Sequence, residues 1–96
     1  MNDQYLAVLQ KAIAQFGKTS QMIIAIEELS EVTKEICKVL RGEGNKSHVA
    51  EEIADARIML AQLEILFDCE RETREWTEYK LTRLRARIEK HSPIDD

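Results

Sequence analysis

Residues 20–67 read SQMIIAIEELSEVTKEICKVLRGEGNKSHVAEEIADARIMLAQLEILF. Good helix formers dominate this stretch, and Gly42 and Gly44 interrupt it once. The pattern predicts two long helices joined by a turn at residues 42–45. We expect the first to be capped by Thr19 or Ser20 and to run to about Arg41. The second is expected to start with Ser47 as its cap and to run to about Phe67.

Two further helices are predicted outside this pair. One runs from about residue 3 to residue 16 and ends at Gly17, because glycine adopts a left-handed conformation most readily. The other has Asp68 as its expected cap and continues to about Lys90, and residues 91–96 form a frayed, disordered tail. The 96 residues suffice for one domain. The expectation is therefore an all-α, four-helix protomer spanning residues 1–96.

Composition and charge exclude several classes of protein. No run approaches the roughly 18 apolar residues of a membrane span, and residues 1–4 lack the basic start of a signal peptide. Cys37 and Cys69 lack metal-ligand spacing and are expected to be reduced thiols of a cytoplasmic protein. The net charge of −4 argues against binding to duplex nucleic acid. An acidic chain that handles anions needs a cation as mediator.

The predicted second helix has an apolar and an acidic side. At about 100° per residue, Glu28, Glu31 and Glu35 share one side, and Ile24 lies among them. An isoleucine there suggests that this acidic side is partly covered. The opposite, apolar side is formed by Met22, Ala25, Ile26, Leu29, Val32, Ile36 and Leu40.

The predicted third helix is apolar almost all round, which is typical of a central, buried helix. Arg57 and Glu64 form its one expected exposed strip. Glu52 and Asp55 nevertheless project into an apolar arc, where a carboxylate costs several kcal/mol unless a cation compensates it. That arc is defined by Met59, Leu63 and Leu66.

Carboxylates three residues apart on two facing helices can converge on one point. Oxygen ligands of this kind suit Mg²⁺, with Mn²⁺ as a substitute. The alternative is ordinary solvated helix, since glutamate is a good helix former and Glu-Glu-x-x-Glu arises by chance. The matching Glu52 and Asp55 on an apolar helix favour the metal site.

The chain resembles the MazG-like, all-α nucleotide pyrophosphohydrolases. Glu27-Glu28-Leu29-Ser30-Glu31, then twenty residues, then Glu52-Ile53-Ala54-Asp55, is similar to that family's Glu-Glu-x-x-Glu … Glu-x-x-Asp signature. Lys80-Leu81-Thr82-Arg83 is similar to the Lys-x-x-Arg that follows it. The resemblance spans about residues 16–84 and is strongest to short, single-domain members from phages and bacterial mobile elements.

The resemblance implies hydrolysis of a nucleoside triphosphate, with deoxynucleotides favoured, to the monophosphate and pyrophosphate. Such an activity serves nucleotide-pool control or house-cleaning. The implied Mg²⁺ ligands are Glu28, Glu31, Glu52 and Asp55. Glu27 is an accessory carboxylate, the five together can hold one ion or more, and one of these glutamates can act as general base.

Three basic residues are candidate phosphate ligands. Lys80 and Arg83 lie one turn apart on the fourth helix, where the alternative is a solvated basic strip. Lys38 follows Glu31 by seven residues and points the same way as the acidic side.

Four residues are candidates for a base pocket. Gln21 can hydrogen-bond a base, or it is a surface residue near the helix start. Met59 and Leu63 can floor the pocket, although both are more often plain core. Trp76 can stack on a base, or it anchors the fourth helix with Tyr79 and Leu84.

A chain of this length buries only about 60–65% of its unfolded surface. An all-round apolar third helix is then difficult to cover within one chain, so we expect a homodimer or homotetramer. Two alternative functions remain. One is a non-catalytic, oligomeric helical interaction module. The other is a phosphoribosyl-ATP pyrophosphohydrolase-like enzyme, whose additional motifs are not found here.

Overall fold

The structure is a computed structural model that describes residues 2–90. Over that range the chain is all-helical, with four helices and no strand, as predicted. The helices are α1 (Asp3–Phe16), α2 (Lys18–Leu40), α3 (Lys46–Leu66) and α4 (Glu70–Lys90). The frayed tail predicted for residues 91–96 lies outside the described residues.

Gly17 separates α1 from α2. Its φ of +92° lies in the region that glycine tolerates best, and its N–H donates to the Ile13 carbonyl at 2.9 Å. The predicted end of the first helix is confirmed. The predicted cap of the second is wrong, because α2 begins at Lys18 and so contains Thr19 and Ser20. Gly17 itself occupies the capping position and has no side chain to contribute.

The turn between α2 and α3 ends one helix and caps the next. Gly42 has φ +79°, and the N–H groups of Gly42 and Glu43 donate to the carbonyls of Val39 and Lys38 at 3.0 and 2.8 Å. This pattern satisfies the last carbonyls of α2. Asn45 then caps α3 by accepting a hydrogen bond from the His48 N–H at 3.0 Å.

The predictions of Ser47 and Asp68 as caps are both wrong. Asparagine caps as well as serine does, and at position 45 it lets α3 start at Lys46. Asp68 adopts φ +50° and ends α3, with its N–H donating to the Ile65 carbonyl at 3.2 Å. Asp68 thus fills the left-handed position that glycine usually takes.

The packed centre lies between α2 and α3, which run antiparallel, and α1 lies against both. Three of its buried side chains are polar. Gln62, 2% exposed, donates from Nε2 to the Leu9 carbonyl of α1 at 3.4 Å. The buried residues are Leu9, Gln21, Ala25, Glu35, Ala56, Met59 and Gln62.

The predicted apolar side of α2 is largely wrong for a single protomer. Ala25 is buried, but Ile26, Leu29, Ile36 and Leu40 are exposed. The side that faces α3 instead consists of Gln21, Ala25, Glu28, Val32 and Glu35, at spacings of three and four residues. The suggestion that the acidic side is partly covered is confirmed, since Glu28 is half-buried and Glu35 is buried.

The predicted central position of α3 is also not seen in one protomer. Ile53, Ile58 and Leu60 are exposed, and Glu64, predicted to be exposed, is half-buried, whereas Arg57 is exposed as expected. The reason is that α3 has α1 and α2 on one side only.

Helix α4 lies apart from the rest of the protomer. Every residue of Glu70–Lys90 is exposed, and α4 approaches α3 but not α2. Trp76, at 59% exposure, packs edge-on against Tyr79 of the same helix, with ring centroids 5.8 Å apart. None of the helices within residues 2–90 is both long and apolar enough to cross a membrane.

Candidate metal centre

Three carboxylates from the two halves of the motif converge between α2 and α3. Glu28, Glu52 and Asp55, called the carboxylate triad below, each place one oxygen within 4.8 Å of the others. Glu28 comes from α2, and the other two lie one turn apart on α3. That spread is close to the roughly 4 Å that separates opposite oxygens around Mg²⁺ at its usual bond lengths. All three side chains are half-buried.

The negative charges of the triad are electrostatically unfavourable when neither a proton nor a cation neutralises them. Partial burial raises the pKa of Glu28 from its ordinary value of 4.5, and the charges of Asp55 and Glu52 raise it further. The pKa of Glu52 is raised by partial burial, then by Asp55 and Glu31. Neutralising these groups, by a proton or by a cation, relieves both causes.

The other two predicted acidic residues, Glu31 and Glu27, lie outside the carboxylate triad. Glu31 is exposed and outside the triad, yet its charge helps to raise the pKa of both Glu28 and Glu52. Glu27 is exposed and is also not among the three converging carboxylates.

Glu35 is a buried acid that the site predictions did not include. Its side chain is paired with Lys38 Nζ at 3.3 Å and lies 3.8 Å from His48 Nδ1 on α3. It also contributes to the raised pKa of Glu52. Its position seven residues after Glu28, on the same side of α2, was the available signal. This pairing holds Lys38, a predicted phosphate ligand, on the acidic side of the helix pair.

The predicted base-pocket residues do not form one pocket within a protomer. Gln21 and Met59 are buried in the packed centre, and Leu63 is half-buried there. Trp76 lies on exposed α4. A cleft of about 500 Å³ between α1, α3 and the turn before α4 is lined by described residues such as Arg57 and Glu64, and by none of the predicted site residues.

The two remaining phosphate candidates, Lys80 and Arg83, lie beside aromatic rings of their own helix, α4. Lys80 Nζ lies 6.0 Å from the centre of the Trp76 ring, and the Arg83 guanidinium lies 5.7 Å from that of Tyr79. In the part of the chain that the structure describes, neither residue forms an ion pair with the triad.

Comparison with protein-family models, with curated proteins and with solved structures finds no match for this chain. What the site can do has to be inferred from its own residues and geometry.

Proposed function

We propose that this chain is an Mg²⁺-dependent nucleoside triphosphate pyrophosphohydrolase. It converts an NTP or dNTP to the corresponding monophosphate and pyrophosphate, in nucleotide-pool control or house-cleaning. The convergence of Glu28 with Glu52 and Asp55 carries the proposal, because it joins the two halves of a motif that resembles the MazG-like signature. The spacing within each half of the motif and the antiparallel pairing of the two helices bring these three side chains together.

The triad fits a hard divalent cation. It offers oxygen ligands alone, which suit Mg²⁺ or Mn²⁺, and the mutual repulsion of its members favours a bound cation. Glu28, Glu52 and Asp55 would hold the ion, with Glu31 one turn from Glu28 as the fourth ligand. When bound, the ion supplies charge neutralisation for the phosphate oxygens and a lower pKa for the attacking water.

The chain's own residues supply the proton transfer and part of the substrate binding. Exposed Glu31 and Glu27 lie next to Glu28 along α2, and either can accept the proton that the attacking water loses. The water oxygen bonds to the α-phosphorus as the bond to the bridging oxygen breaks, and pyrophosphate leaves with that electron pair. Lys38, held by Glu35, offers its ammonium group to the phosphate oxygens.

The exposed apolar surface supports a homo-oligomer, either a dimer or a tetramer. Large hydrophobic side chains are exposed on every helix, including Phe16, Ile26, Leu60 and Leu84. Such a surface is typical of a protomer whose partner has been removed.

The same surface favours a second candidate function, a non-catalytic helical interaction module. The two functions differ in their response to metal. If the triad binds Mg²⁺, added Mg²⁺ raises the melting temperature by mass action. Free Mg²⁺ at a hundred times its Kd adds about 2.7 kcal/mol to the free energy of unfolding. An interaction module shows no such rise.

Pyrophosphate release from a panel of NTPs and dNTPs with Mg²⁺ tests the proposed function. Glu52→Gln should abolish release because it removes one triad charge at nearly constant shape. Glu51→Gln is the matched control, since Glu51 is the exposed neighbour and lies outside the triad. Equal activity of Glu52→Gln and wild type would refute the proposed site.

A further inference from the structure

The surface between α2 and α3 changes character along its length, with the carboxylate triad in the middle. On the side of α1 it is closed by packed residues such as Met59. On the other side, between the triad and the turn at residues 41–45, lie Lys38 of α2 and His48 of α3. His48 precedes Glu52 by four residues, which is about 6 Å along a helix. The negative phosphates of a triphosphate held at the triad are therefore best accommodated on the side of the turn.

Glu35 contacts both of these basic residues. Its side chain is 9% exposed, and its two oxygens lie 3.3 Å from Lys38 Nζ and 3.8 Å from His48 Nδ1. Because Glu35 belongs to α2 and His48 to α3, the second contact crosses the helix pair. A carboxylate beside one ring nitrogen of a histidine orients the ring and favours a proton on that nitrogen. Contacts between catalytic groups are often this long before substrate binds, and they shorten in the complex.

The side of the His48 ring that faces away from Glu35 is open. The His48 side chain is 65% exposed, so its Nε2 is accessible to a substrate and to water. The charged groups next to the imidazole are Glu35 and Lys38 from α2 and, three and four residues further along α3, Glu51 and Glu52. An exposed imidazolium in this position can give a proton to a bound group and regain it from solvent.

The proposed reaction requires charge neutralisation on the side of its leaving group. When the bond between the α-phosphorus and the bridging oxygen breaks, that oxygen departs with the electron pair and gains negative charge. A proton donor at this oxygen lowers the barrier and accelerates such reactions by about 10²–10⁴-fold. Glu27 and Glu31 do not meet this requirement, because their proposed role is to accept the proton of the attacking water.

We infer that His48 is the proton donor to the leaving pyrophosphate and that Glu35 is the residue that positions its ring. The proton on Nε2 passes to the bridging oxygen as the phosphorus–oxygen bond breaks, and the neutral imidazole then takes up a proton from water. Lys38, held by the other oxygen of Glu35, binds the same pyrophosphate. This inference rests on the proposed function and adds the leaving-group side of its mechanism.

Substrate analogues with leaving groups of graded acidity test the role of His48. A CH₂, CHF or CF₂ group in place of the β,γ-bridging oxygen makes the departing bisphosphonate progressively more acidic. The CH₂ analogue therefore depends most on a proton donor. In single-turnover experiments His48→Gln should slow the CH₂ analogue about 100-fold and the CF₂ analogue much less. An equal loss with all three analogues, or no loss, would overturn the inference.

Ser47→Ala is the control for this series. Ser47 is the exposed neighbour of His48 in α3, and the proposed mechanism gives it no role. This variant should hydrolyse all three analogues at close to the wild-type rates.

Glu35→Gln tests positioning, because it removes the charge of the buried side chain at nearly constant shape. It should give a smaller loss than His48→Gln with the same preference for the CH₂ analogue, and Glu35→Asp should recover part of the rate. A merely structural role for Glu35 would slow all three analogues equally, and that result would remove Glu35 from the inference.

NMR of the histidine rings separates a failure of the inference from a failure of the proposed function. The chain has two histidines, and His48→Gln identifies the signals of His48. Long-range ¹H–¹⁵N spectra of the metal-free protein at alkaline pH show which ring nitrogen of the neutral imidazole carries the proton.

For His48 we expect the proton on Nδ1, facing Glu35, and Glu35→Gln should shift it toward Nε2. An active wild type whose His48 lacks this preference would overturn the inference alone. A wild type that shows the preference but hydrolyses none of the NTPs and dNTPs would refute the proposed function, and the proton transfer with it.

Discussion

The ionisation of Glu52 links the stability of the fold to pH. Its charge is opposed by partial burial and by Asp55 and Glu31, so its pKa is raised in the folded chain above the ordinary 4.5. For an acid whose folded pKa is raised, the stability of the fold is greatest below pH 4.5, where the group is protonated, and falls as pH rises through the folded pKa. At neutral pH the ionised carboxylate of Glu52 is therefore less favourable in the folded chain than in the unfolded chain.

Glu52→Gln should accordingly raise the melting temperature of the metal-free protein at pH 7. The gain should shrink as pH falls and vanish below about 4.5, where the carboxyl is protonated in both folded and unfolded chains. Thermal unfolding in EDTA across this range measures it. Glu51→Gln serves as the control, and an equal or larger gain from Glu51→Gln would contradict the assigned electrostatics.

At this scale the sequence predicted four converging carboxylates, of which Glu28, Glu52 and Asp55 meet and Glu31 lies exposed outside the triad, and it did not include Glu35. Spacing of three residues was enough to pair Glu52 with Asp55, and the Glu-Glu-x-x-Glu pattern supplied Glu28. Glu35 was not assigned a role, because its burial depends on how α2 and α3 are aligned, which also brings His48 within 3.8 Å of its carboxylate. The residue pattern of a single helix does not indicate how that helix is aligned with its neighbour.

The helices were predictable as elements, and their ends were less so. All four helices occur close to the predicted bounds, since strong helix formers fill each one and glycines separate the first three. The caps were wrong because several adjacent residues are competent and tertiary packing selects among them. Asn45, Ser47 and Asp68 all had suitable side chains, and the turns decided which of them faced a free N–H.

The assignment of Asn45 as the cap of α3 gives a direct test. Asn45→Ala should cost about 1 kcal/mol of unfolding free energy, because it removes the acceptor of the His48 N–H. Ser47→Ala should cost much less, since Ser47 lies within α3. Chemical denaturation of both variants makes the comparison, and a reversed order would show that α3 starts later than described.

The whole molecule departs most from the sequence prediction. Hydrophobic periodicity marked α3 as central and one side of α2 as core, yet in a single protomer many of those residues are exposed. Hydrophobic periodicity indicates which residues are covered, but it does not distinguish cover by the same chain from cover by a second chain. Residues exposed here, such as Ile26 and Ile58, are explained if a second copy covers them.

Leu84→Asp should weaken the proposed oligomer, because it introduces a charge into an exposed apolar position on α4, one turn after Lys80. Multi-angle light scattering should show smaller particles, with the change most evident on dilution. Thr82→Asp is the matched control, since Thr82 lies on another side of the same helix and bonds to the Glu78 carbonyl. An unchanged mass for Leu84→Asp would exclude this side of α4 from the interface.

Identification of the reaction products tests the proposed pyrophosphohydrolase activity. The full chain is incubated with each dNTP and NTP, with Mg²⁺ or with EDTA, and the products are separated by anion-exchange chromatography. We expect monophosphate and pyrophosphate in equal amounts from at least one substrate, and only when Mg²⁺ is present. Diphosphate with inorganic phosphate, or product formation in EDTA, would contradict it, and so would the absence of turnover across the whole panel.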